Sequence, residues 1–243
     1  MVVKAVAFDL IGTLVHIKPR QELMLRSLKE KLIEDGVAID GFNEEYIKVE
    51  ELTRSVRQEK LREVNSCTVV AQVLKRVGHR DLKHDALCYW VDAYFRPYID
   101  SVVTVEGTRE VLEEVGEDYS LGIVSNFPCS AAVKGSLKKT GLYDLFDHII
   151  VSCEVGWRKP HPRIFNSYLR RARVKASESV FVGDDPRRDI GGARNAGMRT
   201  ILLAAGITPT EDYYYPEEAE VNFIKPDMEV RSLTELPRAL KGI

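Results

Sequence analysis

The spacing of apolar positions changes twice along the chain. Val2 to Phe8 is a short, valine-rich run that predicts a buried strand. Between Pro19 and about Asp100 the rhythm lengthens to the three-and-four spacing of amphipathic helices. Leu25, Leu28, Leu32 and Ile33 form one stripe, which stops at Gly36. Tyr46, Val49, Leu52 and Val56 form a second. Val69, Val70, Val73, Leu74 and Val77 form a third, ended at Gly78. Leu82 to Phe95 predicts a fourth helix, ended near Pro97. Four such stripes can bury against one another.

From Val105 onward helix and strand alternate. Helices are predicted over Gly107 to Val115, Ala131 to Lys139, Pro162 to Arg173 and Asp189 to Ala196, with a closing helix over Ser232 to Leu240. Strands are predicted over Tyr119 to Ser125, His148 to Cys153, Ser179 to Gly183 and Thr200 to Leu203. Strands separated by helices of about ten residues imply a parallel sheet covered on both faces, hence an α/β, Rossmann-like core with a helical insertion. The expected division is 1–18 with 101–243 as core and 19–100 as inserted domain. Ile207 to Pro226, with Tyr213 to Tyr215, reads as an ordered surface loop.

Composition narrows the possibilities. The chain has 243 residues, 44% hydrophobic and 30% charged, with a net charge of −2. That balance fits a soluble protein and gives no reason to expect nucleic acid or an anionic membrane as partner. No apolar stretch approaches the ~20 residues of a membrane span. The chain opens directly on a strand, without the pattern of a signal peptide. Cys67, Cys88, Cys129 and Cys153 form no CxxC pair and read as reduced thiols, in keeping with a cytoplasmic protein. No feature assigns an oligomeric state.

The candidate chemistry starts at the first strand, in Phe8-Asp9-Leu10-Ile11-Gly12-Thr13-Leu14. A carboxylate at the carboxyl end of a buried parallel strand lies where ligands bind in open α/β sheets. Gly12 permits a sharp turn, and Thr13 brings a free hydroxyl. Three later segments add to it. Leu121 to Asn126 is an apolar run ending in the Ser125 hydroxyl. Gly156 to Phe165 carries Lys159 in a proline-punctuated turn before a helix. Val180 to Met198 carries Asp184, Asp185 and Asp189 between a strand end and a helix.

In order and spacing these four segments resemble the motifs of the haloacid dehalogenase superfamily, over Val3 to about Leu203. The resemblance implies an aspartate nucleophile, Asp9, with Ser125 and Lys159 as the partnering hydroxyl and amine. It implies a helical cap inserted after the nucleophile strand, and an acidic Mg²⁺ site built from Asp9, Asp184 and the backbone carbonyl of Ile11. Asp189 would then lie behind these ligands, holding water or Lys159. Asp185 is either an extra ligand or a helix cap. Ser125, Asn126, Thr13, Lys159 and the amide at Leu10 or Ile11 would contact the substrate, for Asn126 with a turn-stabilising role as the alternative. His16, in the turn toward the cap, is a candidate for the active-site mouth. Arg54 and Arg57 read as solvated arginines, Arg158 beside the lysine as either a solvated arginine or a substrate contact, and His161 as structural.

One position departs from the pattern. Most phosphatases of the family carry a second aspartate two residues after the nucleophile, where this chain has Ile11. The proposed nucleophile is intact; the general acid is missing. The leading expectation is a metal-dependent phosphatase acting on a small-molecule phosphate ester. A metal-independent 2-haloacid dehalogenase also lacks that aspartate, because halide leaves without a proton. A third reading is a non-catalytic protein that binds a phosphorylated ligand or a partner.

Overall fold

The computed structural model describes residues 2–17, 21–204 and 225–243. In chain order it contains β1 (Ala5–Phe8), β2 (Val15–His16), α1 (Gln21–Glu34), α2 (Phe42–Glu59), α3 (Ser66–Arg76) and α4 (His84–Ser101). There follow β3 (Val103–Thr104), α5 (Thr108–Asp118), β4 (Ser120–Ser125), α6 (Ser130–Lys139), β5 (His148–Val151), α7 (Ser152–Val155) and α8 (Pro162–Ala172). The chain continues through β6 (Ser179–Gly183), α9 (Gly192–Asn195), β7 (Arg199–Leu203), β8 (Met228–Val230) and α10 (Leu236–Lys241).

Six strands form one sheet in the order β5-β4-β1-β6-β7-β8, and every pairing in it is parallel. β1 is central. Phe8 lies opposite Ile123 of β4 on one side and Val182 of β6 on the other. The order runs outward from β1 in both directions, so the carboxyl end of β1 is a topological switch point. Side chains alternate between two cores, as the pleat requires. Val6, Phe8, Ile123, Val180 and Val182 face α5, α6 and the helical insertion. Ala7, Val124 and Phe181 face Ile164, Phe165 and Tyr168 of α8.

The insertion lies between β2 and β3, which pair antiparallel and bring its two ends together. Its helices bury Met24, Leu28 and Leu32 of α1, Phe42, Tyr46, Val49 and Thr53 of α2, Val69, Val70, Val73 and Leu74 of α3, and Leu87, Trp90, Val91, Phe95 and Tyr98 of α4.

Several expectations need correction. Ile33 and Leu52 are more than half exposed, so the buried stripes of α1 and α2 run through Met24 and through Phe42 and Thr53 instead. α4 continues through Pro97 to Ser101. Pro97 removes the donor that would have served the Ala93 carbonyl, and the Ser27 hydroxyl of α1 donates to that carbonyl at 2.8 Å instead. Ser152 and Cys153 open a helix rather than close β5. Asp189 and Ile190 belong to a wide π-helical turn, Pro186–Gly191, ahead of α9. The weakly patterned strands β2, β3 and β8 escaped the sequence reading because two or three residues carry too little alternation to be seen. Pro19 and the tyrosines at 213–215 lie outside the described residues.

Candidate active site

Asp9 follows β1 directly, and its amide is held by the Val182 carbonyl of β6 at 2.9 Å. The chain then doubles back: the amides of Leu14 and Val15 both reach the Leu10 carbonyl at 3.0 Å. Gly12 sits at φ 94°, in the region that favours glycine. A Cβ there would also strike the Asp184 carboxylate. Gly183 is equally constrained, since a Cβ on it would meet the side chain of Asp189. Both glycines let carboxylates close around the end of the sheet.

Lys159 joins these groups. Its side chain is 3% exposed, and Nζ lies 2.5 Å from Asp9 Oδ1 and 2.7 Å from Asp189 Oδ1. The backbone of Lys159 is fixed by Asn126, which donates from Nδ2 to the Lys159 carbonyl at 3.0 Å and accepts its amide on Oδ1 at 2.7 Å. Asn126 is therefore a splint between the loop after β4 and the lysine loop, and the turn-stabilising alternative describes it better than substrate contact. Thr13 is fully buried and donates to Asp184 Oδ1 at 2.9 Å. Its hydroxyl is not free for a substrate; it orients the second acidic residue.

The remaining acids separate by role. Asp185 Oδ1 accepts the amides of Arg187 and Arg188 at 2.9 and 2.8 Å, and Oδ2 pairs with the Arg188 guanidinium. It caps the turn that follows. Asp189 accepts the Asp185 amide on Oδ2 at 3.2 Å while pairing with Lys159. Ser125, 1% exposed at the end of β4, makes no side-chain hydrogen bond among the described residues.

Asp9, Asp184 and Asp189 bring carboxylate oxygens within 4.8 Å of one another. Burial raises all three. Asp9 is pushed above the usual carboxylate range, opposed by the charge of Lys159. Asp184 rises to about 6 through burial and then the charge of Asp189. Asp189 rises to about 7 through burial, again opposed by Lys159. Burial alone would lower the Lys159 ammonium, but Asp189 and Asp9 outweigh it and hold it charged. One ammonium thus faces two buried carboxylates and a third that is half-buried. Isolated buried anions are costly, and oxygen donors suit a hard divalent cation. The donor set fits such a cation.

The family profile of haloacid dehalogenase-like hydrolases matches residues 6–203. The chain belongs to that family. Its relatives include the glyceraldehyde 3-phosphate phosphatases of Methanopyrus kandleri, 30% identical with 98% of each chain covered, and of Pyrococcus furiosus, 30% identical with 98% of this chain and 92% of the relative covered. Among solved structures, a 2-haloacid dehalogenase from Pseudomonas syringae pv. Tomato aligns at TM-score 0.68 with 25% identity over 99% of both chains. A phosphatase of the family from Thermococcus onnurineus aligns at TM-score 0.59, also at 25% identity and 99% coverage of both chains. This family member is thus a hydrolase whose phosphatase-named relatives support a phosphoric monoester hydrolase. No helix among its described residues is long and apolar enough to cross a membrane.

Two residues near the site, Glu63 and Ser152, escaped the sequence reading. Glu63, in the loop between α2 and α3, has a side chain with no exposure. It pairs with the Arg158 guanidinium and with Arg57 Nε at 2.9 Å. Arg57 and Arg158 are therefore engaged in buried pairs, not solvated; Arg54 is exposed as expected. Ser152 completes the group, donating to Glu63 Oε2 at 2.5 Å. No motif flagged Glu63, since an isolated glutamate among charged helix residues reads as surface. His161 caps α8 by accepting the Arg163 amide at 3.2 Å and stacks on Trp157. His16 is half-buried in β2, within the connection to the insertion.

Proposed function

We propose that the protein is a divalent-metal-dependent phosphatase of small phosphorylated metabolites, with Asp9 as nucleophile and the helical insertion as a cap over the site. The single observation that carries this reading is the cluster of Asp9, Asp184 and Asp189 against one ammonium. In this reading Asp9, Asp184 and the Ile11 carbonyl hold the cation. That carbonyl accepts no hydrogen bond among the described residues. When bound, Mg²⁺ would offset the repulsion between the anionic nucleophile and an anionic phosphate.

The protein's own groups do the rest. Asp9 attacks phosphorus, the ester P–O bond breaks, and the leaving alkoxide takes its proton from solvent; water then hydrolyses the aspartyl-phosphate. Lys159 keeps Asp9 ionised and oriented and lends positive charge to the transferring oxygens. The Ser125 hydroxyl, which has no partner among the described residues, and the amides after Asp9 bind phosphate oxygens. Thr13 aims Asp184, and Asp189 aims Lys159. Ile11 supplies no proton to the leaving oxygen. A missing general acid typically lowers the rate by ~10² to 10⁴, so esters of acidic alcohols should react faster than alkyl phosphates. The names of the relatives point to short sugar phosphates as the substrate class.

The structural likeness to a 2-haloacid dehalogenase keeps halide displacement as the competing reaction. Phosphate esters, glyceraldehyde 3-phosphate among them, and 2-haloacids should each be assayed with Mg²⁺ and with a chelator. Metal-dependent phosphate release is expected. Metal-independent halide release would overturn the reading.

A further inference from the structure

The lysine loop is held from two sides. On the core side Asn126 brackets the backbone of Lys159. On the other side lies the loop joining α2 to α3, which belongs to the insertion. Arg62 bridges Trp157 in antiparallel fashion. The Arg158 amide donates to the Leu61 carbonyl at 2.9 Å, and the Glu63 amide donates to the Gly156 carbonyl at 3.2 Å. The Arg62 guanidinium covers the Trp157 ring, 4.2 Å from its centroid. The three residues before Lys159 are thus stitched to the insertion by backbone and side chain together.

Glu63 is the knot in that stitching. Oε1 takes Arg57 Nε at 2.9 Å and the Val64 amide at 3.1 Å. Oε2 takes the Arg158 guanidinium and the Ser152 hydroxyl. Ser152 in turn accepts the Phe127 amide at 2.9 Å. Phe127 lies two residues after Ser125, so one carboxylate reaches both the lysine loop and the loop carrying the phosphate-facing hydroxyl. A buried ion pair of this kind is weak evidence for stability, because desolvation offsets most of its attraction. Its better-attested use is to fix one arrangement among several. Breaking it by removing one partner leaves an uncompensated buried charge on the other.

We propose that Glu63 is a positioning residue, acting through Arg158 and Ser152 to hold Lys159 and Ser125 in register while the helical insertion is seated on the core. Seating the insertion and aligning the amine then become one event, and a displaced insertion carries the lysine loop with it. This rests on the phosphatase reading for its effect on turnover, though not for its effect on the loop.

Glu63→Gln keeps the shape of the side chain and removes the charge. A displacement of the order of 1 Å at the reacting groups can lower turnover ~10²-fold. In a folded Glu63→Gln protein kcat for a phosphate ester with Mg²⁺ should fall by about that factor, while KM moves less than about threefold. Adding Arg158→Gln should cost little more, since the two changes break the same link. Retention of kcat within about twofold in a folded variant would overturn the proposal, leaving Glu63 as a packing element only. If Glu63→Gln does not fold, Ser152→Ala carries the test: it removes the bridge to Phe127 and should lower kcat about tenfold, and an unchanged kcat would again overturn it. Acrylamide quenching of Trp157, read in a Trp90→Phe background, separates failure of this proposal from failure of the phosphatase reading. If the wild-type protein releases no phosphate from any ester, the phosphatase reading falls. Increased quenching in Glu63→Gln then still supports the latch, and unchanged quenching overturns it.

Discussion

The carboxyl end of the sheet and the helical insertion use buried polar groups in opposite ways. At the sheet end Asp9, Lys159, Asp184 and Asp189 are packed together, each with a partner from another segment of the chain. Their ionisation is strained by burial, and the group as a whole carries excess negative charge. In the insertion the buried surface is almost wholly apolar, and charge lies on the outside in exposed helix pairs such as Arg26 with Glu30. Glu63 and its partner Arg57 are the exception, and Glu63 stands where the insertion meets the core. The sheet end gathers charged groups at a cost in stability; the insertion is ordinary packing whose buried charge is confined to the seam.

The sharpest way to break that comparison is to remove the nucleophile. Asp9→Asn keeps the shape of the side chain and abolishes its nucleophilicity. Turnover should fall at least roughly 10³-fold, with little loss of Tm, because the buried anion it removes was itself unfavourable. Comparable activity in the variant would mean that Asp9 does not react.

The insertion should respond in stability and not in chemistry. Phe42 is 1% exposed and Leu52 is 56% exposed. Phe42→Ala should lower unfolding free energy by about 3–5 kcal/mol. Leu52→Ala should change it by less than about 0.5 kcal/mol. Denaturant unfolding distinguishes the observed helix phase from the one the Leu52 stripe implied, in which the second substitution would be the damaging one.

These residues also show where the sequence was legible. Asp9, Ser125, Lys159 and Asp184 each close a strand or a turn, so apolar runs located them and the family spacing named them. The sheet followed from alternation of strand and helix. The phase of α1 and α2 did not, because apolar residues stand on both faces of those helices and only packing decides between Leu52 and Thr53. Thr13 and Asn126 were singled out as substrate contacts, but their partners lie 171 and 33 residues away, and pairing across such distances leaves no local pattern. Glu63 was invisible for the same reason.

Replacing Ile11 sharpens the chemical side. Ile11→Asp should restore a proton donor near the bridging oxygen and raise alkyl phosphate hydrolysis by ~10² where geometry permits. The gain on aryl phosphates should be much smaller. Equal gains on both would show that another residue already supplies the proton.

A smaller effect lies in pH. Asp184 and Asp189 have folded pKa values of about 6 and about 7, above the ~4 of the unfolded chain. With the folded values higher, the folded protein binds more protons between those limits. The stabilising contribution is complete below about pH 4 and is lost as pH rises through about 6 to 7. Without metal the cluster should therefore lower Tm by a few degrees between about pH 5 and about pH 8. Mg²⁺, which needs the ionised form, should raise Tm increasingly over the same window. Thermal melts with Mg²⁺ and with a chelator check both slopes, and a metal effect independent of pH would contradict the assignment of the cluster.

The most direct test of the central claim is acid quenching during turnover of an aryl phosphate with Mg²⁺, followed by mass analysis of the peptide spanning residues 5–18. The account predicts one phosphoryl group on that peptide, carried by Asp9 and absent from Asp9→Asn. A phosphoryl group on any other residue, or turnover with no modified peptide at any quench time, would contradict it.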